Sequence, residues 1–184
     1  AYIHDLTLEG KITAGKTYAA GFVGSAYGKF ENCTNNISVT STFANTAGFA
    51  AYAYGASRFI NCLNSASVSS SAASVAGFAS DVREGANFEN CGNTGTVTNS
   101  GTASYTAGFC SNSAPAHFKN VFNTGDIKIS KTTSVTIVAG IIANAQIGSD
   151  STFIDMKGCY NTAAITAKGN VAGLLTAASN ALYV

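Results

Sequence analysis

A chain of 184 residues is long enough for one domain with a sizeable core. Only 10% of its residues are charged and the net charge is +1, which speaks against nucleic acid as a partner, because neutralising phosphates needs clustered Lys and Arg. No apolar run approaches the ~20 residues of a membrane span. No basic start or apolar stretch marks AYIHDLTLEG as a secretory leader, so the chain reads as a processed product or an excised segment of something longer. Ala is the largest single part of the 46% hydrophobic content, with Gly, Ser, Thr and Asn abundant and Pro115 the one proline. That mixture suits tight turns and stacked strands better than helices.

Self-similarity organises everything that follows. An Ala-Gly-apolar anchor recurs at Gly21, Gly48, Gly77, Gly108, Gly140 and Gly173, in steps of 27, 29, 31, 32 and 33 residues. A second anchor follows each of the first five: FENCTN from Phe30, FINCLN from Phe59, FENCGN from Phe88, FKNVFN from Phe118 and MKGCYN from Met156. Four residues past its final Asn stands Val39, Val68, Val97, Ile127 or Ile165.

In chain order the repeats run approximately 1–29, 30–58, 59–87, 88–117, 118–155 and 156–184. The first is the least typical, with Ile3 to Ile12 standing in for the second and third anchors. The next three carry short period-two stretches, ISVTST, ASVSSS and GTVTNS, separated by Gly, Asn and Ser turns. An insertion at Gln146 to Thr152 stretches the fifth, and the sixth ends NALYV without an evident cap. No stretch shows a helical apolar face with caps. One such repeat cannot bury its own apolar side, but stacking coils about 4.8 Å apart pairs every strand and aligns equivalent side chains. The expected fold is therefore an all-β, right-handed parallel β-helix (β-solenoid) of about six coils, 27–33 residues per coil.

Three inward columns are expected: the Val39 to Ile165 series; Phe30, Phe59, Phe88, Phe118 and Met156; and Phe22, Phe49, Phe78, Phe109, Ile141 and Leu174. Asn35, Asn64, Asn93, Asn123 and Asn161 should form a structural ladder at a corner, where Asn tolerates the left-handed conformation and bonds to the coils above and below. The glycosylation sequons, at Asn32 and Asn36, do not recur along that column. Cys33, Cys62, Cys91 and Cys159 share one position, which Val121 fills in the fourth copy, so a buried apolar slot is the simpler reading. A disulfide between neighbouring coils is the sharper alternative. No Cys-x-x-Cys occurs and neither His is near the column, so no metal site is expected.

The AGF…FxNCxN…V pattern resembles the GLUG repeat over nearly the whole chain, roughly Leu6 to Leu175. AAGFVG (Ala19 to Gly24) comes closest to that repeat's Gly-Gly-Leu-Val-Gly form, and later copies drift to AGFAAY and AGFASD. The resemblance implies a surface-exposed solenoid of the kind found in large bacterial cell-surface proteins, adhesins and the non-catalytic regions of immunoglobulin A peptidases among them. It carries no catalytic residues to transfer.

The expected role is accordingly a non-catalytic extracellular module, a rigid spacer or display scaffold, with no cofactor. Its partners would be neighbouring copies or flanking repeats end to end, or a host or cell-wall glycan or protein. The alternative from another class is a self-assembling filament subunit, because an uncapped solenoid presents open strand edges at both ends. A polysaccharide-cleaving β-helix would need converging carboxylates. Glu31 and Glu89 share a repeat position two coils apart, about 9–10 Å by coil rise. An ice-binding surface would need an unbroken Thr array. The outward column Thr13, Thr40, Ser69, Thr98, Lys128 and Thr166 is interrupted. Two segments look like loops leaving the coil and are candidate binding loops: SDVREGAN, with Asp81, Arg83 and Glu84, and the insertion bearing Asp150. Tyr18, Tyr52, Tyr54, Tyr105 and Tyr160 are candidates for glycan stacking.

Overall fold

The computed structural model describes residues 1–15, 17–71, 73–101, 104–130, 136–146 and 153–179. Every regular element among them is a β-strand, and every strand pairing is parallel. The chain winds through four ladders in turn. The first holds Tyr2–His4, Lys29–Glu31, Arg58–Ile60, Asn87–Glu89, His117–Lys119 and Asp155–Lys157. The second starts as two continuous eight-residue strands, Thr7–Ala14 and Thr34–Ser41. In later coils it splits into two short strands, such as Leu63–Asn64 and Val68–Ser70. The third runs from Ala19–Ala20 to Asn170–Ala172, and the fourth from Val23–Ala26 to Leu175–Ser179. Each ladder carries six rungs, so about five turns separate the first coil from the last. The chain is a parallel β-solenoid.

Register follows the repeat without slippage. Val39 pairs with Val68, Val68 with Val97, Val97 with Ile127 and Ile127 with Ile165. Ile12 takes the same place in the first coil and Ile3 stacks beneath Phe30, as expected for the atypical first repeat. Such fidelity is forced, because a one-residue slip would turn every inward side chain to solvent.

Two phenylalanine columns fill the space between the first and fourth ladders. Within each column the rings stack at 4.4–5.1 Å, nearly parallel. Between columns they meet edge to face at 5.5–6.5 Å. Both geometries suit the ring quadrupole, and each buried ring contributes roughly 1.5–3 kcal/mol by leaving water. Cys33, Cys62, Cys91 and Val121 line this core fully buried, and Cys159 is half-buried on the last rung. All five thiols are free. The thiols of Cys33, Cys62 and Cys91 donate to the carbonyls two residues back. A second, smaller core lies between the second and third ladders, where Val68 and Val97 meet Val75, and Ile127 meets Val138.

The asparagine column is structural but not at a left-handed corner. Asn35, Asn64, Asn93, Asn123 and Asn161 lie in strands. The first four are fully buried, and each donates its amide to the next at 2.7–2.8 Å. The same amide nitrogens also reach the backbone carbonyl two residues on, at 2.8–3.3 Å. The left-handed position belongs to the other asparagine of the motif. Asn32, Asn61, Asn90 and Asn120 all have φ of 53°. Asp5 holds that place in the first coil (φ 55°) and Gly158 in the last (φ 67°). These residues make a second, exposed amide chain: Asn120 to Asn90, Asn90 to Asn61, Asn61 to Asn32 and Asn32 to Asp5, at 2.9–3.1 Å.

The buried ladder explains the Ala-Gly anchor. A Cβ on Gly21, Gly48, Gly77, Gly108 or Gly140 would collide with the side chain of Asn35, Asn64, Asn93, Asn123 or Asn161 respectively. None of these glycines has a positive φ. They are glycine for close approach, not for conformational freedom.

Candidate functional site

Outward positions on the fourth ladder depart most from the repeat. Four residues after each of the first five anchor glycines stand Ser25, Tyr52, Asp81, Asn112 and Asn144, and strand pairing places them in one row. Two residues further on stand Tyr27, Tyr54, Arg83 and Ala114. The core demands none of these side chains, yet in the first three coils they cluster.

Tyr27 and Tyr54 stack with centroids 3.7 Å apart, and Tyr54 meets Tyr52 at 4.3 Å. Tyr18, just before the third ladder, touches Tyr52 edge-on at 5.8 Å. The Arg83 guanidinium lies 4.8 Å from the centre of the Tyr52 ring, a cation–π contact, and its Nη2 donates to Asp81 Oδ2 at 3.1 Å. Asp81 is half-buried; burial pushes its carboxyl up, against the lowering pull of Arg83. Crowding against its neighbours and a hydrogen bond with Tyr54 push the Tyr27 phenol up to about 12, so it stays neutral through the physiological range. Further along, Asn144 donates to Asn112 at 2.9 Å and Asn112 to the Ser74 hydroxyl at 2.8 Å, tying the fourth ladder to the third.

Asp81, Arg83 and Glu84 do not form a loop that leaves the coil. Asp81 sits in the strand Ala79–Val82, paired with Tyr52 and Asn112. Arg83 to Ala86 make a tight turn closed by Ala86 N–H to the Arg83 carbonyl at 3.3 Å, with Gly85 at φ 87°. The preceding coil has the same turn, closed by Ser57 N–H to the Tyr54 carbonyl at 3.1 Å, with its glycine one position earlier, at Gly55. A Cβ on Gly55 would collide with the Glu84 carbonyl, so Ala56 takes the left-handed place at φ 62°. Asp150, with residues 147–152 of the insertion, lies outside the described residues.

Of the five tyrosines singled out from sequence, the fold gathers Tyr18, Tyr52 and Tyr54. Tyr105 packs half-buried against Ala107, Ala139 and Ala143, and Tyr160 stacks on Phe122. Sequence reasoning missed Tyr27. The available signal was its offset from Gly21, equal to that of Tyr54 from Gly48 and of Arg83 from Gly77.

Glu31 and Glu89 do share a column on the first ladder, with Ile60 between them. Each is occupied: Glu31 by Lys29 at 2.7 Å and the Tyr2 hydroxyl at 2.6 Å, Glu89 by Lys119 at 2.6 Å. The Lys29 ammonium and the Tyr2 hydroxyl hold the Glu31 carboxyl below its usual range. Among the described residues no three His, Cys, Asp or Glu gather as a metal site. Of the outward polar column, Thr13, Thr40, Ser69, Lys128 and Thr166 are exposed and Thr98 is half-buried. No family model, curated protein or solved structure matches the chain.

Proposed function

We propose that this chain is a non-catalytic, extracellular structural and adhesive module: a rigid β-solenoid spacer or display scaffold, of the GLUG-repeat kind, from a bacterial surface protein. One observation carries the reading. The inward columns that recur through the repeats, Phe, Cys, Val, Asn and anchor Gly, are consumed by packing or by a hydrogen-bond ladder. Residues under such uniform structural demand serve stiffness. The shared carboxylates of the first ladder support a non-catalytic role, since Lys29, Tyr2 and Lys119 already satisfy them. An antibody raised against the domain should label intact cells of the source organism, and brief external proteolysis should remove the label. Labelling only after lysis would overturn the surface assignment.

End-to-end self-assembly is the second reading. Val171 and Leu174, on the last described rung, are 44% and 42% exposed, and among the described residues no further strand pairs with that rung. An in-register second copy would set Leu8 against Asn161, because Leu8 fills the asparagine position in the first coil. An apolar side chain would then stand where every other rung offers an amide acceptor, so the spacer reading comes first. Sedimentation at rising concentration separates the two: a monomer throughout removes the filament.

A further inference from the structure

We propose that the tyrosine cluster of the first three coils is a binding platform for an extended, neutral glycan. This rests on the adhesive half of the reading above; the spacer half stands without it. Four tyrosines and an arginine meet on one outward face where the repeat requires none of them. Tyr18 and Tyr27 are 50% and 55% exposed. Exposed aromatic surface gathered in this way marks recognition, because the rings lose little entropy when they bind.

The division of labour follows from the contacts. Tyr54 backs Tyr27, while Tyr52 abuts Tyr18 and is itself clamped by Arg83. The two most exposed rings are thus held by the two less exposed ones, as a preorganised surface requires. A pyranose ring offers an apolar C–H face to such a ring and a rim of hydroxyls around it. Asp81 answers the rim: Arg83 takes its Oδ2, and its other carboxylate oxygen accepts no hydrogen bond among the described residues. The Asp81 carboxylate and the Arg83 guanidinium neutralise each other, so the platform carries no net charge to select a polyanion. Rungs rise about 4.8 Å, close to the length of one sugar unit. Because Tyr54 covers one face of Tyr27, a β-linked chain crossing the cluster would rest its sugars on the open faces of Tyr18 and Tyr27 and turn hydroxyls toward Asp81.

The test is titration of the 184-residue protein with four soluble hexasaccharides, β1,4-linked chains of glucose, mannose, xylose and N-acetylglucosamine, followed by NMR. At least one should shift the ring resonances of Tyr18 and Tyr27 and the backbone amide of Asp81. Tyr18→Ala/Tyr27→Ala should weaken that binding about tenfold or more, and Tyr160→Ala should leave it unchanged. If the double variant melts early, the wild-type shift map alone decides. Silence across all four sugars, shifts centred elsewhere, or concentration-dependent self-association through the cluster would each overturn the proposal. None of those results would touch the surface-labelling test of the spacer.

Discussion

Two asparagine ladders run side by side through this solenoid, three residues apart in the four copies that carry both, and they obey different physics. Asn93 is fully buried in a strand; Asn90 is exposed and left-handed. Both donate an amide to the neighbouring coil at similar distances, 2.8 Å and 3.1 Å. The difference lies in what replaces a lost bond. Water can satisfy the outer ladder, so its members are held mainly by backbone geometry. Nothing can satisfy the inner one, so each member depends on both neighbours. The same residue type is thus a conformational device on one side and a buried polar chain on the other.

Asn93→Leu should show the largest effect, a loss of about 3 kcal/mol or more, because it orphans one N–H of Asn64 and the side-chain oxygen of Asn123 in a dry core. Asn90→Ala should cost only about 1 kcal/mol, chiefly left-handed strain, and Asn90→Gly still less. Urea unfolding of the three variants settles it; equal losses for Asn93→Leu and Asn90→Ala would erase the distinction drawn above.

Gly77→Ala probes the inner ladder from the other side. Its Cβ would strike Asn93 and the Gly108 carbonyl, an overpacking of about 1–3 kcal/mol. Gly173 occupies the same column on the last described rung, and a Cβ there would meet nothing within 4 Å among the described residues, so Gly173→Ala should be nearly neutral. A matching penalty at both sites would mean that the Ala-Gly anchor is conformational after all.

The Cys33, Cys62 and Cys91 thiols sit between the two ladders, Cys110 lies buried in the fourth-ladder strand Cys110–Ser113, and together they give the comparison a pH axis. Burial pushes the Cys91 and Cys110 thiols well above their ordinary range. Below about pH 8.5 they are protonated whether the chain is folded or not, and their contribution is intact. As pH rises past that value the unfolded chain ionises while the folded one resists, so stability falls. The Cys91→Val/Cys110→Ala variant should flatten this alkaline decline in thermal melts. Cys62→Val should itself cost less than about 1.5 kcal/mol, since Val121 already fills that column.

Two surface sites should respond least. Ala56→Gly relieves a left-handed alanine and should gain up to about 1 kcal/mol, read as a raised melting temperature. Glu31 is held below its ordinary range, so its ion pair adds stability above about pH 4.3 and loses it as pH falls through the folded value. Solvent screens this surface pair, so its share of the acid-side loss is small. An acid-side loss unchanged in Glu31→Gln would assign that decline to other carboxylates.

The solenoid and its register were legible in the amino-acid sequence alone, because parallel stacking converts a period along the chain into a column in space. Val39 over Val68 and Phe59 over Phe88 follow from arithmetic on spacings. What the spacings do not contain is how one face of a coil meets another. That Gly77 must make room for Asn93, that Asn90 rather than Asn93 turns left-handed, and that Asp81 lies in a strand all depend on the path between ladders within a coil. The tyrosine cluster belongs to the same class. Tyr18 and Tyr52 stand 34 positions apart and off any shared repeat column. Only the folding of the third ladder against the fourth brings their rings into contact.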